Sequence, residues 1–487
     1  MFIKKTKTLC PKCNSVIPAE IVEEEGKIWL KRSCKDHGSF RDIYWTDPIL
    51  YHRFEKYEAI GNGIQNPQNI APPDSCPSAC GLCNNHHSST LLANIDLTNR
   101  CNLDCDFCFA NARACGFIYE PDFDEIVKMM EVLRSEKPIP TPAVQFSGGE
   151  PTMRDDLIAI IKKAKEMGFP QVQIATNGVR IAKDREYAQQ LKNAGLSTVY
   201  LHFDGVTLKT NPFLKMHTKA IGNMKNAGLG CILVPTVIRG RNDNQLGQII
   251  KFAADHIDVI RGVNFQPVAF TGAAIDDDIK KLRITIPDVL EGIEKQTSGV
   301  IKKDDFYPVP CVLPFSNLVE AYTGKHQVRF TAHQHCGAAT YVFVTKDGIV
   351  PVNRMIDVDS FFESIETMAK TLKKGGAINK YKALIEGVKA MHDSVKKGEQ
   401  SKTAEFWKLL GKTLIGQNFD ALREFHWNAL FIGTMHFMDR YNYDLERVQR
   451  CCIHYATPDG RLIPFCTYNS GPLYREQIWK QFAKSKN

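Results

Sequence analysis

Across residues 91–300, six short apolar runs alternate with helix-patterned segments, and this alternation limits the fold more than any other feature. The runs fall at 92–97, 143–146, 172–175, 198–203, 231–237 and 263–268. Helical patterning occupies the intervals near 123–135, 155–167, 184–194, 213–226 and 244–256, and several of these end at a glycine, as at Gly168, Gly195 and Gly228. Strand and helix in strict alternation give a parallel sheet with helices outside. Six units predict an α/β fold of the partial (β/α)6 barrel type, short of the eight-unit barrel. In either arrangement, chemistry belongs on the loops beyond the C-terminal ends of the strands.

The cysteines divide the rest of the chain. There are 16 in 487 residues, and most fall in short-spaced groups. No apolar stretch comes after the Lys-rich start, and no run is long enough for a spanning helix. A cytoplasmic location is therefore expected, with the cysteines as thiols or metal ligands instead of disulfides. Four sections are expected. Residues 1–75 form a small metal-binding module of rubredoxin-like type, ending at the linker-like Pro72-Pro73. Residues 76–90 carry a cluster-binding segment. Residues 91–300 form the partial barrel. Residues 301–487 form a C-terminal α+β extension, helical over 360–450 and made of short strands around turns in the last forty residues. The net charge of +8 is diffuse. It favours anionic partners and gives no basic block for nucleic acid.

The first barrel strand runs straight into Asn99-Arg100-Cys101-Asn102-Leu103-Asp104-Cys105-Asp106-Phe107-Cys108. A C-x3-C-x2-C loop presents three thiolates. Three hold three irons of a cubane and leave the fourth iron open, whereas a fully protein-held cluster takes four. A zinc loop with a distant fourth ligand is the alternative. The context favours the cubane, because the second strand ends in Ser147-Gly148-Gly149-Glu150 and the third in Thr176-Asn177-Gly178, both on the face of the cysteine loop.

With these motifs, residues 90–270 resemble the radical S-adenosylmethionine (SAM) superfamily. The resemblance implies that the open iron chelates the methionine part of SAM and that Gly148, Gly149 and Glu150 meet its amine. It also places Phe107 near the adenine and makes Thr176 and Asn177 candidates for polar contacts. Reductive cleavage of SAM would give a carbon-centred radical able to abstract hydrogen, the protein orienting the cofactor and excluding water. A ferredoxin- or flavodoxin-like reductant is implied.

Further metal sites are expected. Cys10 and Cys13, with Cys34 and His37, read as a mononuclear iron or zinc site. Cys76, Cys80 and Cys83 repeat the C-x3-C-x2-C spacing and fit an auxiliary 4Fe–4S cluster, its fourth ligand open among Cys115, His86 and His87. Cys311, Cys336, Cys452 and Cys466 are grouped by number as a second auxiliary cluster, with Cys451 and Cys452 interchangeable. Cys231 reads as core. At about four irons per cubane, about twelve are expected, plus one if the N-terminal metal is iron.

The order of the knuckle, the Cys76 group, the Cys101 group and the tail Pro464-Phe465-Cys466 is similar to that in a group of archaeal radical SAM enzymes, the tetraether synthases. That resemblance implies joining of the terminal methyl carbons of isoprenoid lipid tails, with an archaeal phospholipid as substrate, peripheral membrane contact, and macrocyclic archaeol or a tetraether as product. The apolar stretch 425–438 is then a candidate wall for a lipid-tail tunnel, or otherwise a core helix. Competing readings are a peptide-modifying radical SAM enzyme, radical methylation of a lipid or small molecule (for which no cobalamin-type segment is seen), and an iron–sulfur electron carrier.

Overall fold

The computed structural model describes residues 1–72, 75–112, 116–274, 278–376, 387, 393–394, 429–471 and 474–484. The chain opens with four antiparallel strands, β1 (Phe2–Leu9), β2 (Val16–Glu24), β3 (Lys27–Cys34) and β4 (Gly38–Trp45), paired in sequence order. β3 buries every second residue, Ile28, Leu30, Arg32 and Cys34, the period that gives a sheet one packed face. The helix α1 (Pro48–Glu55) then starts at a capped turn. Asp47 accepts from the Leu50 amide at 3.0 Å, and Pro48 stands where no amide is needed.

All six expected strands form, at Leu92–Thr98, Ala143–Gly148, Gln171–Thr176, Thr198–His202, Cys231–Val234 and Ile260–Pro267, side by side and parallel. The helices between them bury residues at helical spacing. Phe123–Arg134, for example, buries Ile126, Met129, Met130 and Leu133 and begins with a capping box of Asp122 and Glu125.

The last third differs from expectation. Ala429–Met435 is a strand, not a core helix, and it extends the sheet in parallel beside Ile260–Pro267. Residues 425–428 lie outside the described residues. Ile453–Ala456 joins the other side in parallel beside Leu92–Thr98. The C-terminal segment is therefore partly woven into the barrel sheet. The antiparallel strands Gly337–Thr345 and Leu462–Pro464 lie beyond these two. Helix Val358–Lys373 forms as patterned, but the helical expectations over 377–428 fall almost wholly outside the described residues. A hairpin turns at Gly460 as expected, and the chain beyond it is helical at Phe465–Ser470 and Tyr474–Gln481.

The four-stranded module is tied to the C-terminal segment. Lys4 pairs with Glu446 at 2.5 Å, while Thr6 and Tyr44 donate to the two Asp444 oxygens at 2.7 and 2.9 Å. Among the described residues, no helix is long and apolar enough to cross a membrane.

Candidate active site and metal centres

The loop bearing Cys101, Cys105 and Cys108 leaves the Leu92–Thr98 strand at the C-terminal edge of the sheet. Neighbouring strand ends pack onto it with very little room. Gly148, at φ +124°, passes so close that a Cβ there would lie 2.2 Å from the Thr98 carbonyl; a Cβ on Gly149 would lie 2.4 Å from that of Arg100. The Gly149 and Glu150 amides donate to those two carbonyls at 2.7 and 2.8 Å. The two glycines let the second strand end dock on the cysteine loop's own backbone. From the far side, a Cβ on Gly272 would lie 2.3 Å from the Cys108 carbonyl, which accepts from the Ala273 amide at 3.0 Å.

Glu150 is fully buried and acts as a joint. One oxygen accepts from the Thr152 amide at 3.0 Å and from the hydroxyls of Thr152 and Thr176 at 2.5 and 2.6 Å; the other accepts from the Asn177 amide at 2.8 Å. Burial raises its pKa, and those donors oppose the rise. Asn177 in turn donates from Nδ2 to Asn102 Oδ1 at 2.7 Å, which ties the third strand end to the cysteine loop. The Glu150, Thr176 and Asn177 side chains thus hydrogen-bond within the protein and shape the site. Asn102 was not foreseen; a single asparagine in a loop carries no signal. Phe107 is half-buried, with the Arg241 guanidinium 4.6 Å from its ring centre and paired to Asp106 at 2.8 Å. His202 and Asp204, 3.0 Å apart at the end of the fourth strand, also escaped sequence reasoning, although a polar pair closing an apolar strand was the available signal.

Burial, then the neighbours Cys108 and Cys101, push the Cys105 thiol up to about 12, and burial raises Cys101. The three thiols thus lie within electrostatic reach of one another, on one loop, at the mouth of the sheet. This arrangement fits a cluster with one open iron, and loading it must displace thiol protons.

At the N-terminal module, Cys10, Cys13, Cys34 and His37 bring their ligand atoms within 4.8 Å of one another. His37 Nδ1 stands 3.7 Å from Cys10 Sγ and 3.5 Å from Cys34 Sγ, and Cys13 Sγ is 4.0 Å from Cys34 Sγ. A tetrahedron with metal–sulfur bonds of about 2.3 Å and metal–nitrogen bonds of about 2.0 Å needs separations of about 3.6–3.8 Å. The observed separations of 3.5–4.0 Å lie close to that range, so the residues fit a metal ion after small side-chain adjustments. Ser15 lowers the Cys13 thiol to about 6, favouring the thiolate a metal needs.

Cys76, Cys80 and Cys83 also group together. Burial and then Cys83 raise Cys76 to about 12, and burial, Cys76 and Cys83 raise Cys80 well above the thiol range. Of the fourth-ligand candidates, His86 turns its ring to the Cys451 carbonyl at 2.8 Å and to His454 at 3.1 Å. Cys115 lies outside the described residues.

Of the quartet Cys311, Cys336, Cys452 and Cys466, Cys336 acts electrostatically on both Cys452 and Cys466. The charged groups acting on Cys311 are Asp359 and Arg53. Besides Cys336, Cys452 faces Ser88, Thr331 and the Arg450 carbonyl. Cys466, Cys336 and Cys452 all act on Cys451.

Residues 95–253 match the family model described as Radical SAM superfamily, and residues 2–46 match the HMPTM N-terminal zinc ribbon domain. A 7,8-dihydro-6-hydroxymethylpterin dimethyltransferase of Methanocaldococcus jannaschii is 48% identical, covering 99% of this chain and 96% of that protein. The chain belongs to the radical SAM superfamily. This radical SAM enzyme is also similar to Fe-coproporphyrin III synthase of Methanosarcina barkeri, 40% identical over 25% of this chain and 29% of that one. GTP 3′,8-cyclase of Aquifex aeolicus is 26% identical over 44% of this chain and 66% of its own. A 4Fe–4S cluster and SAM follow from membership of the superfamily. The full-length relative is named for methyl transfer, not for the lipid coupling that the order of the cysteine groups had suggested.

Proposed function

We propose that this radical SAM enzyme methylates a reduced hydroxymethylpterin. One observation carries the reading: the likeness to the M. jannaschii dimethyltransferase runs through zinc ribbon, barrel and C-terminal segment alike, over nearly the whole of both chains. The site offers a surface that suits such a substrate. Phe109 comes directly after Cys108, and its ring centre lies 5.5 Å from that of Phe465 and 5.9 Å from that of Phe437, which stack at 4.0 Å. All three rings are half-buried, and a flat heterocycle can stack on such a wall. Phe109 follows Cys108 in the chain, so this wall joins the cysteine loop to the C-terminal segment.

When bound, a cluster on Cys101, Cys105 and Cys108 supplies the electron that breaks a carbon–sulfur bond of SAM. The chain's own residues set the stage: Glu150 and Asn177 fix the loop, Arg241 holds Phe107 at its rim, and the phenylalanine wall excludes water from the reacting carbon.

A second reading is the joining of isoprenoid lipid tails. The same phenylalanine wall favours it, because an alkyl chain asks for apolar contact and no hydrogen bonds, and the net charge of +8 suits anionic head groups. Anaerobic incubation with SAM and reductant, offered the reduced pterin in one arm and archaeol phospholipid in the other, separates the two. The expected result is release of 5′-deoxyadenosine that depends on the pterin, with mass spectrometry showing one CH2 gained and one S-adenosylhomocysteine formed per methyl group installed, a second SAM being the methyl donor and the reductant supplying two electrons. Loss of two hydrogens per tail junction in the lipid, with the pterin untouched and without effect on SAM cleavage, would replace the first reading by the second.

A further inference from the structure

Three neighbouring strands of the barrel carry amide side chains on the face away from the helices. In Leu92–Thr98, Ala143–Gly148 and Gln171–Thr176, residues Ala93, Ile95, Val144, Phe146, Val172 and Ile174 pack with the helices in the main core. Side chains alternate along a strand, so Asn94, Gln145 and Gln173 stand on the opposite, lumen face. The parallel register sets Asn94 beside Gln145 and Gln145 beside Gln173.

The three amides form a row with one direction. Gln173 Nε2 donates to Gln145 Oε1 at 2.9 Å, and Gln145 Nε2 donates to Asn94 Oδ1 at 2.7 Å. Each NH2 meets a carbonyl until the row ends. Asn94 is 1% exposed, and among the described residues its Nδ2 has no hydrogen-bond partner. A buried N–H without an acceptor is destabilising, so a row that served the fold alone would end on an acceptor.

The open end lies beside the aromatic wall. On the strand Ile453–Ala456, the residue in register with Asn94 is Tyr455. Its ring centre is 5.3 Å from that of Phe465, which stacks with Phe437 and lies against Phe109. One side of the lumen thus offers ring faces, and the next offers a donor four residues below the strand end at Thr98, roughly 13 Å. A reduced pterin is flat, with its hydroxymethyl-bearing ring at one end and a cyclic amide with an exposed carbonyl at the other.

We propose that Asn94 reads the substrate's pyrimidine ring, its free Nδ2 donating to the ring carbonyl while Gln145 and Gln173 hold the amide in that orientation. This inference rests on the pterin reading above and names the group that selects for it. The carbonyl fills the missing acceptor position, and the hydroxymethyl end is directed at the cysteine loop. An alkyl chain offers no acceptor, so the same amide works against a lipid tail.

The test uses the full chain, reconstituted anaerobically with iron and sulfide, and 7,8-dihydro-6-hydroxymethylpterin as the probe. Calorimetry gives the Kd for the pterin and, separately, for SAM; product formation gives the KM. Asn94→Leu is expected to raise the Kd and KM for the pterin by about five- to tenfold, with iron content and SAM affinity held. Asn94→Asp, which keeps the shape, removes the donor and serves if the Leu variant does not fold, is expected to do the same. A pterin analogue with hydrogen in place of the ring carbonyl oxygen is expected to bind the wild type as weakly as the pterin binds Asn94→Leu, and to lose nothing further in that variant. Pterin affinity within about twofold of wild type in the folded variants overturns the role of Asn94 and leaves the pterin reading standing. A wild type that does not turn over the pterin overturns both.

Discussion

Glu150→Gln is expected to loosen the fold around the cysteine loop, and the structure sets the size of the effect. The carboxylate accepts four hydrogen bonds, three on one oxygen and one on the other. A glutamine keeps one oxygen, so its amide group must face donors. The cheaper orientation turns the NH2 toward the Asn177 amide. That loses one bond to a charged acceptor, about 1.5–3 kcal/mol, and strands a buried N–H, about 1–3 kcal/mol. Relief of a buried carboxylate, whose pKa burial already raises, offsets part of this. A net loss of about 2–4 kcal/mol is expected, roughly a 30- to 700-fold change in the folding equilibrium. Anaerobic denaturant titration of the loaded protein measures it, with calorimetric SAM binding alongside. A loss below about 0.5 kcal/mol would refute the reasoning, since a bond network of this kind carries more. Weakened SAM binding at unchanged stability would mean that Glu150 touches the ligand directly.

Replacing Cys101, Cys105 and Cys108 together by alanine is expected to abolish 5′-deoxyadenosine release under dithionite, measured by chromatography; retained release would place the SAM-binding iron elsewhere. Chelation of the N-terminal metal, or Cys13→Ser, is expected to expose β1–β4 to limited proteolysis while the barrel stays resistant, because four converging ligands hold the module's knuckles together. His217 is fully buried; burial and then His202 lower it to about 4. The unfolded chain takes up that proton first, so stability is lost as pH falls from about 6.5 toward 4, by up to about 1.4 kcal/mol per pH unit. His217→Phe is expected to flatten the pH dependence of unfolding by one proton; an unaltered slope would show that His217 does not titrate with folding.

Where local pattern decides structure, the sequence was readable. The six strands and five helices of residues 91–300 came through within a few residues, since a buried parallel strand is a short apolar run closed by a turn, and its helix shows its own period. Ala429–Met435 was not readable in this way. An apolar run of seven suits a core helix as well as a strand, and docking against Ile260–Pro267 decides it. The cysteine trio at 101, 105 and 108 is contiguous and was seen. Cys336, Cys451, Cys452 and Cys466 take their surroundings from sheet register and a hairpin, which spacing does not encode.

The placement of Ile453–Ala456 against Leu92–Thr98 has a consequence for biogenesis. On the ribosome, the strand that carries the SAM loop gains its neighbour Ala143–Gly148 early, but its other flank stays bare until nearly the whole polypeptide has emerged. For most of translation that edge offers unpaired amides and carbonyls to any passing strand. Metal delivery during that interval would meet a scaffold open from behind, so the timing of iron insertion relative to chain release becomes a determinant of how much working enzyme a cell obtains.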